Sequence, residues 1–320
     1  MIKTLQCGVA KSGNYWLYNI IMELYKTKYD KIPSYIKSHS EYENLRKYKL
    51  SYQKQVEIDT IAFNNKKIWF YVSSIFKEDI INTNDYFDMT SVIWTHSDLN
   101  NGFNKIICHL DKVVYIIRDP RDVFNSKINF AFSDYSQKYL KKRTDINRFR
   151  RNRLYTSIIN WNSHVIKALS QKEKYPDKIY IVFYETLLKN PSIEIKNLAD
   201  FLEFNVSSKI ISYIVNATSA KKLRIKDKGH VSKTIDLYKW KNILDENEQQ
   251  TFIHKSGYLL SYLGYPIKNS DIKLPRLKND NIKKINYLHK LFLIRSIFSF
   301  KTFKSIIFSD RGYTEIFNKI

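Results

Sequence analysis

Ala10-Lys11-Ser12-Gly13-Asn14-Tyr15-Trp16 (AKSGNYW) is a small-residue turn carrying one lysine, set between an apolar segment and a helical pattern. Before it, Thr4 to Val9 (TLQCGV) fits a short buried strand; after it, Trp16, Leu17, Ile20, Ile21 and Leu24 recur at roughly helical spacing. Strand, turn, helix aims backbone N–H groups and the positive end of a helix dipole at an anion, and Lys11 adds a point charge. The stretch therefore reads as a phosphate-binding loop, although a Lys-Ser-Gly turn also occurs where a chain merely turns. It lacks the Gly-x-x-x-x-Gly-Lys-Ser/Thr spacing of the common nucleotide-binding signature.

Downstream, Met89 to Trp94 (MTSVIW), Lys112 to Ile117 (KVVYII) and Lys178 to Tyr184 (KIYIVFY) are short apolar runs of the kind buried on both faces of a parallel sheet. Lys67 to Phe76 (KIWFYVSSIF) fits a strand or a helix start, and the polar Tyr25 to Asn65 reads as loops and short helices covering a sheet edge. Asp119-Pro120 after Lys112–Ile117 fits a helix cap, with a helix through Phe132. Helical spacing returns over Tyr155–Leu169, Pro191–Leu202 and Ser207–Leu263, the last broken by the basic loop Arg224 to His230. Strands alternating with helices predict an α/β chain: a P-loop-like three-layer fold with a central parallel sheet flanked by helices.

The 320 residues suffice for one large α/β domain or two small ones, and only 7 glycines and 6 prolines argue against a low-complexity chain. A formal charge of +23 favours anionic partners, or reflects a lysine-rich composition alone. The densest basic run, Tyr139 to Arg153 (YLKKRTDINRFRRNR), reads either as a solvated face or as a guide for an acidic acceptor. Cys7 and Cys108 stand far apart, which suits a reducing cytoplasm; no leader and no transmembrane run is visible. We expect a domain over 1–267 and a basic, aromatic extension over 268–320. Within the extension, Tyr287 to Phe308 fits a helix docked on the domain or a membrane-surface or partner-binding helix.

Ligands of open parallel sheets bind beyond the carboxyl ends of the strands. Those ends carry Lys11-Ser12-Gly13, Thr95-His96, Arg118 and Tyr184. Arg118, with Ser126 in the following helix, suits a second phosphate because a guanidinium fork matches phosphate oxygens. Trp16 and Tyr184 offer faces for a base, or belong to the core as most aromatic residues do. Arg118 has an alternative partner in Asp122, one turn on.

These segments resemble the PAPS-dependent sulfotransferases, of bacterial type. AKSGNYW is similar to that family's Pro-Lys-Ser-Gly-Thr-Thr-Trp loop for the 5′-phosphosulfate, with Ala10, Asn14 and Tyr15 departing; YIIRDPRDVFNS is similar to its 3′-phosphate segment, placing Arg118 and Ser126 on the binding positions. Trp94-Thr95-His96 stands where the family has Lys-Thr-His, and FYETLLKNP puts Tyr184 at the adenine-stacking position. Trp161 to Val165 (WNSHV) resembles a later tryptophan-histidine helix. Of the family's Arg-Lys-Gly, Lys228 and Gly229 are kept and Asp227 replaces the arginine.

The resemblance implies PAPS as donor and adenosine 3′,5′-bisphosphate as product. His96 is then the general base, Lys11 stabilises the leaving phosphate, and Lys11 to Trp16, Arg118, Ser126, Tyr184, Lys228 and Gly229 hold the donor. It requires no metal. The acceptor is a hydroxylated small molecule, read from the basic surface as a sugar or glycan, with no specific nucleic acid. The competing readings are a P-loop kinase and a non-catalytic polyanion or nucleic-acid binder.

Overall fold

The computed structural model describes residues 1–47, 56–73, 75–134, 136–137, 143–226, 236–267, 274–277 and 282–297. Its strands are β1 (Thr4–Gly8), β2 (Asp59–Phe63), β3 (Ile68–Val72), β4 (Phe76–Asp79), β5 (Val92–Thr95), β6 (Lys112–Ile117) and β7 (Ile179–Phe183). The helices are α1 (Asn14–Lys26), α2 (Tyr35–Ser38), α3 (Tyr42–Arg46), α4 (Thr83–Asp88), α5 (Pro120–Ala131), α6 (Ile146–Lys174) and α7 (Tyr184–Lys189), followed by α8 (Pro191–Phe201), α9 (Ser208–Ala217), α10 (Ala220–Lys226), α11 (Trp240–Ile243), α12 (Glu246–Tyr262) and α13 (Ile282–Ile297). They fall into two compact units, residues 1–117 with 174–235 and residues 118–173 with 236–320.

The first unit holds the whole sheet, in the order β4-β3-β2-β5-β1-β6-β7. From β2 to β7 the pairing is parallel, as the apolar runs predict. β3 and β4 extend it antiparallel, and β2 lies in the segment read from sequence as loops and short helices. The hairpin between β2 and β3 is made by Asn64, whose side-chain oxygen accepts from the N–H groups of Lys66 (2.8 Å) and Lys67 (3.0 Å). β4 (FKED) is a short, charged edge strand, a composition that discourages further pairing.

Helix α1 lays Leu17, Ile20, Ile21 and Leu24, all fully buried, against a core that includes Val92, Val114, Ile116 and Val182 from the sheet and Leu198, Ala199 and Ile214 from α8 and α9. Burial at about 1.5–3 kcal/mol per large aliphatic side chain makes this face the main support of the loop ahead of α1. At the other end of that loop β1 is central, flanked by β5 and β6, so its carboxyl end cannot shift without breaking two ladders.

The second unit is helical. Asp119 caps α5, accepting from the Arg121 N–H at 3.0 Å with Pro120 at the first helical position, as expected from sequence. A capping box of Asp245 and Glu248 starts α12, and Glu248 also pairs with Arg150 of α6. The basic run thus lies partly in α6, which starts at Ile146, nine residues before the expected helix.

Helix α13 is tied to α12 and α6 by His289, whose Nδ1 lies 2.9 Å from the Tyr258 hydroxyl and whose Nε2 lies 3.3 Å from the Ser163 hydroxyl. Among the described residues no helix is long and apolar enough to cross a membrane. Burial, with the Lys167 charge adding, pushes the His289 ring down from its ordinary 6.5 to about 4. Between those values the unfolded chain binds a proton that the folded chain does not, so the stability is present above the upper value and lost as pH falls toward the lower one. The urea midpoint should therefore drop on acidification through this window, and His289→Gln should flatten the slope; an unchanged slope in the variant contradicts this.

Candidate functional site

The parallel strands of the first unit end along one edge of the sheet, where Gly8 pairs with Ile116, Cys7 with Thr95, and Ile117 with Phe183. From this edge project the Val9–Gly13 loop, His96 and Tyr184. Sequence reasoning placed these residues at strand ends, and the structure brings them to one edge of one unit. Arg118 and Ser126 belong to the second unit, Arg118 following the last residue of β6 in the chain. Lys228 and Gly229 lie outside the described residues.

The loop turns through two left-handed residues, Lys11 (φ 76°) and Gly13 (φ 96°), with the Ser12 N–H bonded to the Val9 carbonyl at 3.1 Å. Gly13 is required twice over. Its conformation is one that side chains resist, and a Cβ there would stand 2.5 Å from the Tyr184 ring. The helix that follows has no side-chain cap. The first N–H groups of a helix have no carbonyl one turn back, so this end suits an anion. Ser12 is fully buried, and its hydroxyl has no hydrogen-bond partner among the described residues. Buried hydroxyls are ordinarily satisfied, so this one fits a ligand oxygen at the loop.

Asn14 has a structural task that its motif position does not suggest. Its side-chain amide donates to the Val9 carbonyl and its oxygen accepts from Gln6 Nε2, both at 2.8 Å. The side chain braces the loop against β1, leaving only its backbone N–H to the anion. Gln6 was missed from sequence, although a glutamine inside an apolar strand signals a buried polar group that needs a partner.

The His96 Nδ1 lies 3.0 Å from the Gly8 carbonyl oxygen. A carbonyl can only accept, so Nδ1 carries the proton and Nε2 is the basic nitrogen of the neutral ring. The ring meets Trp94 edge-on (5.5 Å, 81°), and Trp94 packs against Tyr15 (6.4 Å) and Tyr18 (5.6 Å) of α1. The two departures at Tyr15 and Trp94 are therefore in contact, forming an aromatic wall beside His96. Trp16 meets Tyr184 edge-on at 5.8 Å, which holds the Tyr184 ring over Gly13.

In the second unit, the Trp161 Nε1–H donates to the Arg118 carbonyl at 3.0 Å. Arg121 is fully buried, paired through Nε (2.9 Å) and Nη2 (2.7 Å) with Asp119, bonded to the Pro266 carbonyl (2.8 Å) and stacked 3.6 Å over Trp240. Asp122 accepts from the Trp240 backbone N–H at 2.9 Å. Burial pushes its carboxyl up to about 6, against the opposing Arg118 charge. Asp119, Arg121 and Trp240 were not anticipated as a group. Sequence placed Asp119 as a cap, but not the cation that folds back onto it.

A family model described as "Sulfotransferase domain" matches residues 2–257. Mouse sulfotransferase 1A1 is 27% identical over 140 residues, which is 42% of this chain and 45% of that protein. The chain thus matches less than half of this relative's length. Among solved structures, a mouse sulfotransferase complexed with PAP has a TM-score of 0.53 at 16% identity, covering 80% of this chain and 84% of that one. Retinol dehydratase in complex with androsterone and inactive cofactor PAP has 0.54 at 15%, covering 85% and 82%. At these identities the likeness concerns the fold.

The geometry of Gly13 makes a direct test. Gly13→Ala should destabilise the fold by about 2–3 kcal/mol through the left-handed backbone and the ring contact. In a Tyr184→Ala background the penalty should shrink toward the backbone part of about 1 kcal/mol. Strictly additive urea-denaturation energies contradict the contact.

Proposed function

Because the chain belongs to the sulfotransferase family, we propose that it transfers the sulfonate group of PAPS to a hydroxyl acceptor, a sugar or glycan, releasing adenosine 3′,5′-bisphosphate. The observation that carries this reading is the bond from His96 Nδ1 to the Gly8 carbonyl, which leaves Nε2 as a base beside the anion loop. The donor supplies an activated sulfonate whose leaving group is a phosphate.

The chain's own residues divide the work. The N–H groups of the Lys11–Trp16 loop and the buried Ser12 hydroxyl bind the 5′ oxygens, and Lys11 neutralises charge building on the leaving phosphate. Trp16 and Tyr184 flank the adenine, while Arg118 and Ser126 take the 3′-phosphate through a guanidinium fork and a hydroxyl. Lys228 and Gly229 are assigned to the donor on the resemblance alone. His96 removes the acceptor proton through Nε2, and the Gly8 carbonyl stabilises the doubly protonated ring that results.

The glycan assignment rests on the net charge of +23. A cytoplasmic location is supported by two free thiols, Cys7 and Cys108, which suit a reducing compartment. For α13 we favour packing over membrane-surface contact, since its Ile282, Ile285 and His289 are buried.

His96→Ala should lower turnover of a hydroxyl acceptor by about 100-fold or more, the contribution of a positioned general base. Affinity for adenosine 3′,5′-bisphosphate, measured by calorimetry, should stay within about twofold, because His96 acts on the acceptor proton rather than on the donor phosphates. Parallel loss of both would assign His96 to binding or to the fold.

A further inference from the structure

Two contacts that differ in kind hold the His96 ring. The bond from Nδ1 to the Gly8 carbonyl, at 3.0 Å, fixes one atom of the ring and its tautomer. The Trp94 indole, at 5.5 Å and 81°, bears on the plane of the ring. Aromatic rings favour near-perpendicular contact, so the indole resists tilting of the imidazole about its hydrogen bond.

Trp94 is itself confined. It is 7% exposed, and its Nε1–H has no hydrogen-bond partner among the described residues. Tyr15 (6.4 Å) and Tyr18 (5.6 Å) of α1 tilt against it from the helix side. Within the sheet it pairs with Gln6 of β1 and Thr60 of β2. Side chains of directly paired residues share a face of the sheet, so Trp94 stands on the same face as the glutamine that braces Asn14. What this position supplies is a ring held by other rings, not a hydrogen bond. It links the helix behind the anion loop to the plane of His96.

We propose that Trp94 is a positioning residue for His96, holding the imidazole plane so that Nε2 lies along the line to the acceptor proton. The role rests on the reading of His96 as the base of sulfonate transfer. A general base works only while its lone pair points at the proton, and a tilted ring carries Nε2 off that line. Trp94 acts through His96 and not on the substrate.

The test is ring-nitrogen NMR of the full chain, labelled at histidine, together with steady-state kinetics of Trp94→Leu and Trp94→Phe. Leucine fills the space without a ring; phenylalanine restores one. The His96 signals are identified by their loss in His96→Ala, at a pH above the ordinary histidine range. Wild type and Trp94→Phe should show one tautomer, protonated at Nδ1. Trp94→Leu should show an averaged mixture, because a ring that tilts loses its bond to Gly8. With a hydroxyl acceptor, Trp94→Leu should lower kcat by about tenfold or more with acceptor KM within about twofold, and Trp94→Phe should recover most of the loss. If Trp94→Leu does not fold, Tyr18→Leu, which loosens the indole from the α1 side, is read by the same criteria. A wild-type tautomer and kcat in the leucine variant, or equal loss in the leucine and phenylalanine variants, overturns the role. A tautomer averaged by leucine and restored by phenylalanine, in a chain that transfers no sulfonate, supports the positioning and counts against the transfer reading instead.

Discussion

Asn14 holds the Val9 carbonyl with one side-chain atom and Gln6 with the other, each at 2.8 Å, and the rest of the site depends on that brace. Between strand and helix the chain must pass through two left-handed residues, Lys11 and Gly13, in a span of three. A turn of that kind wanders unless its ends are fixed, because left-handed backbone is unfavourable for a lysine. The ends are fixed here by β1, clamped between two parallel neighbours, and by the buried face of α1. The Asn14 amide closes the remaining freedom between them, so the loop N–H groups and the buried Ser12 hydroxyl hold one arrangement. An anion entering a loop held this way would require little reorganisation.

The same strand end governs His96. Gly8, the last residue of β1, turns its carbonyl to the histidine and so selects the tautomer that leaves Nε2 basic. A Cβ on Gly8 would stand 2.7 Å from Ile116 and 2.8 Å from Asn14, so the close approach of loop and strand requires glycine there. The loop geometry and the His96 tautomer are thus two outputs of one packed strand end. Trp94 and Tyr15 replace polar residues of the resembled motif by an aromatic contact; this changes the wall beside His96 without touching the brace.

The sequence made some of this legible and hid the rest for identifiable reasons. KVVYII announced a central strand because burial on both faces leaves no polar position, and Asp119-Pro120 announced a helix start because both residues act locally. β2 and β4 escaped. FKED carries no apolar periodicity, and DTIAF begins with an aspartate whose burial is understood only from its partners: the N–H groups of Tyr35 and Ile36 and the Thr90 hydroxyl. The Arg121–Asp119–Trp240 stack likewise arises from a contact between distant segments that no local spacing encodes. Position in a motif also says nothing of the Asn14 side chain, which looks inward to Gln6 and the Val9 carbonyl.

On the function proposed above, the loop edge of this sheet takes a nucleoside bisphosphate that carries an activated sulfonate, rather than a nucleoside triphosphate with its metal. Calorimetric titration of the full chain with adenosine 3′,5′-bisphosphate and, separately, with ATP and magnesium tests it most directly. The bisphosphate should bind saturably and the triphosphate weaker by about tenfold or more, since each tenfold is about 1.4 kcal/mol and a misplaced charged contact costs at least that. Tighter binding of ATP with magnesium would contradict it.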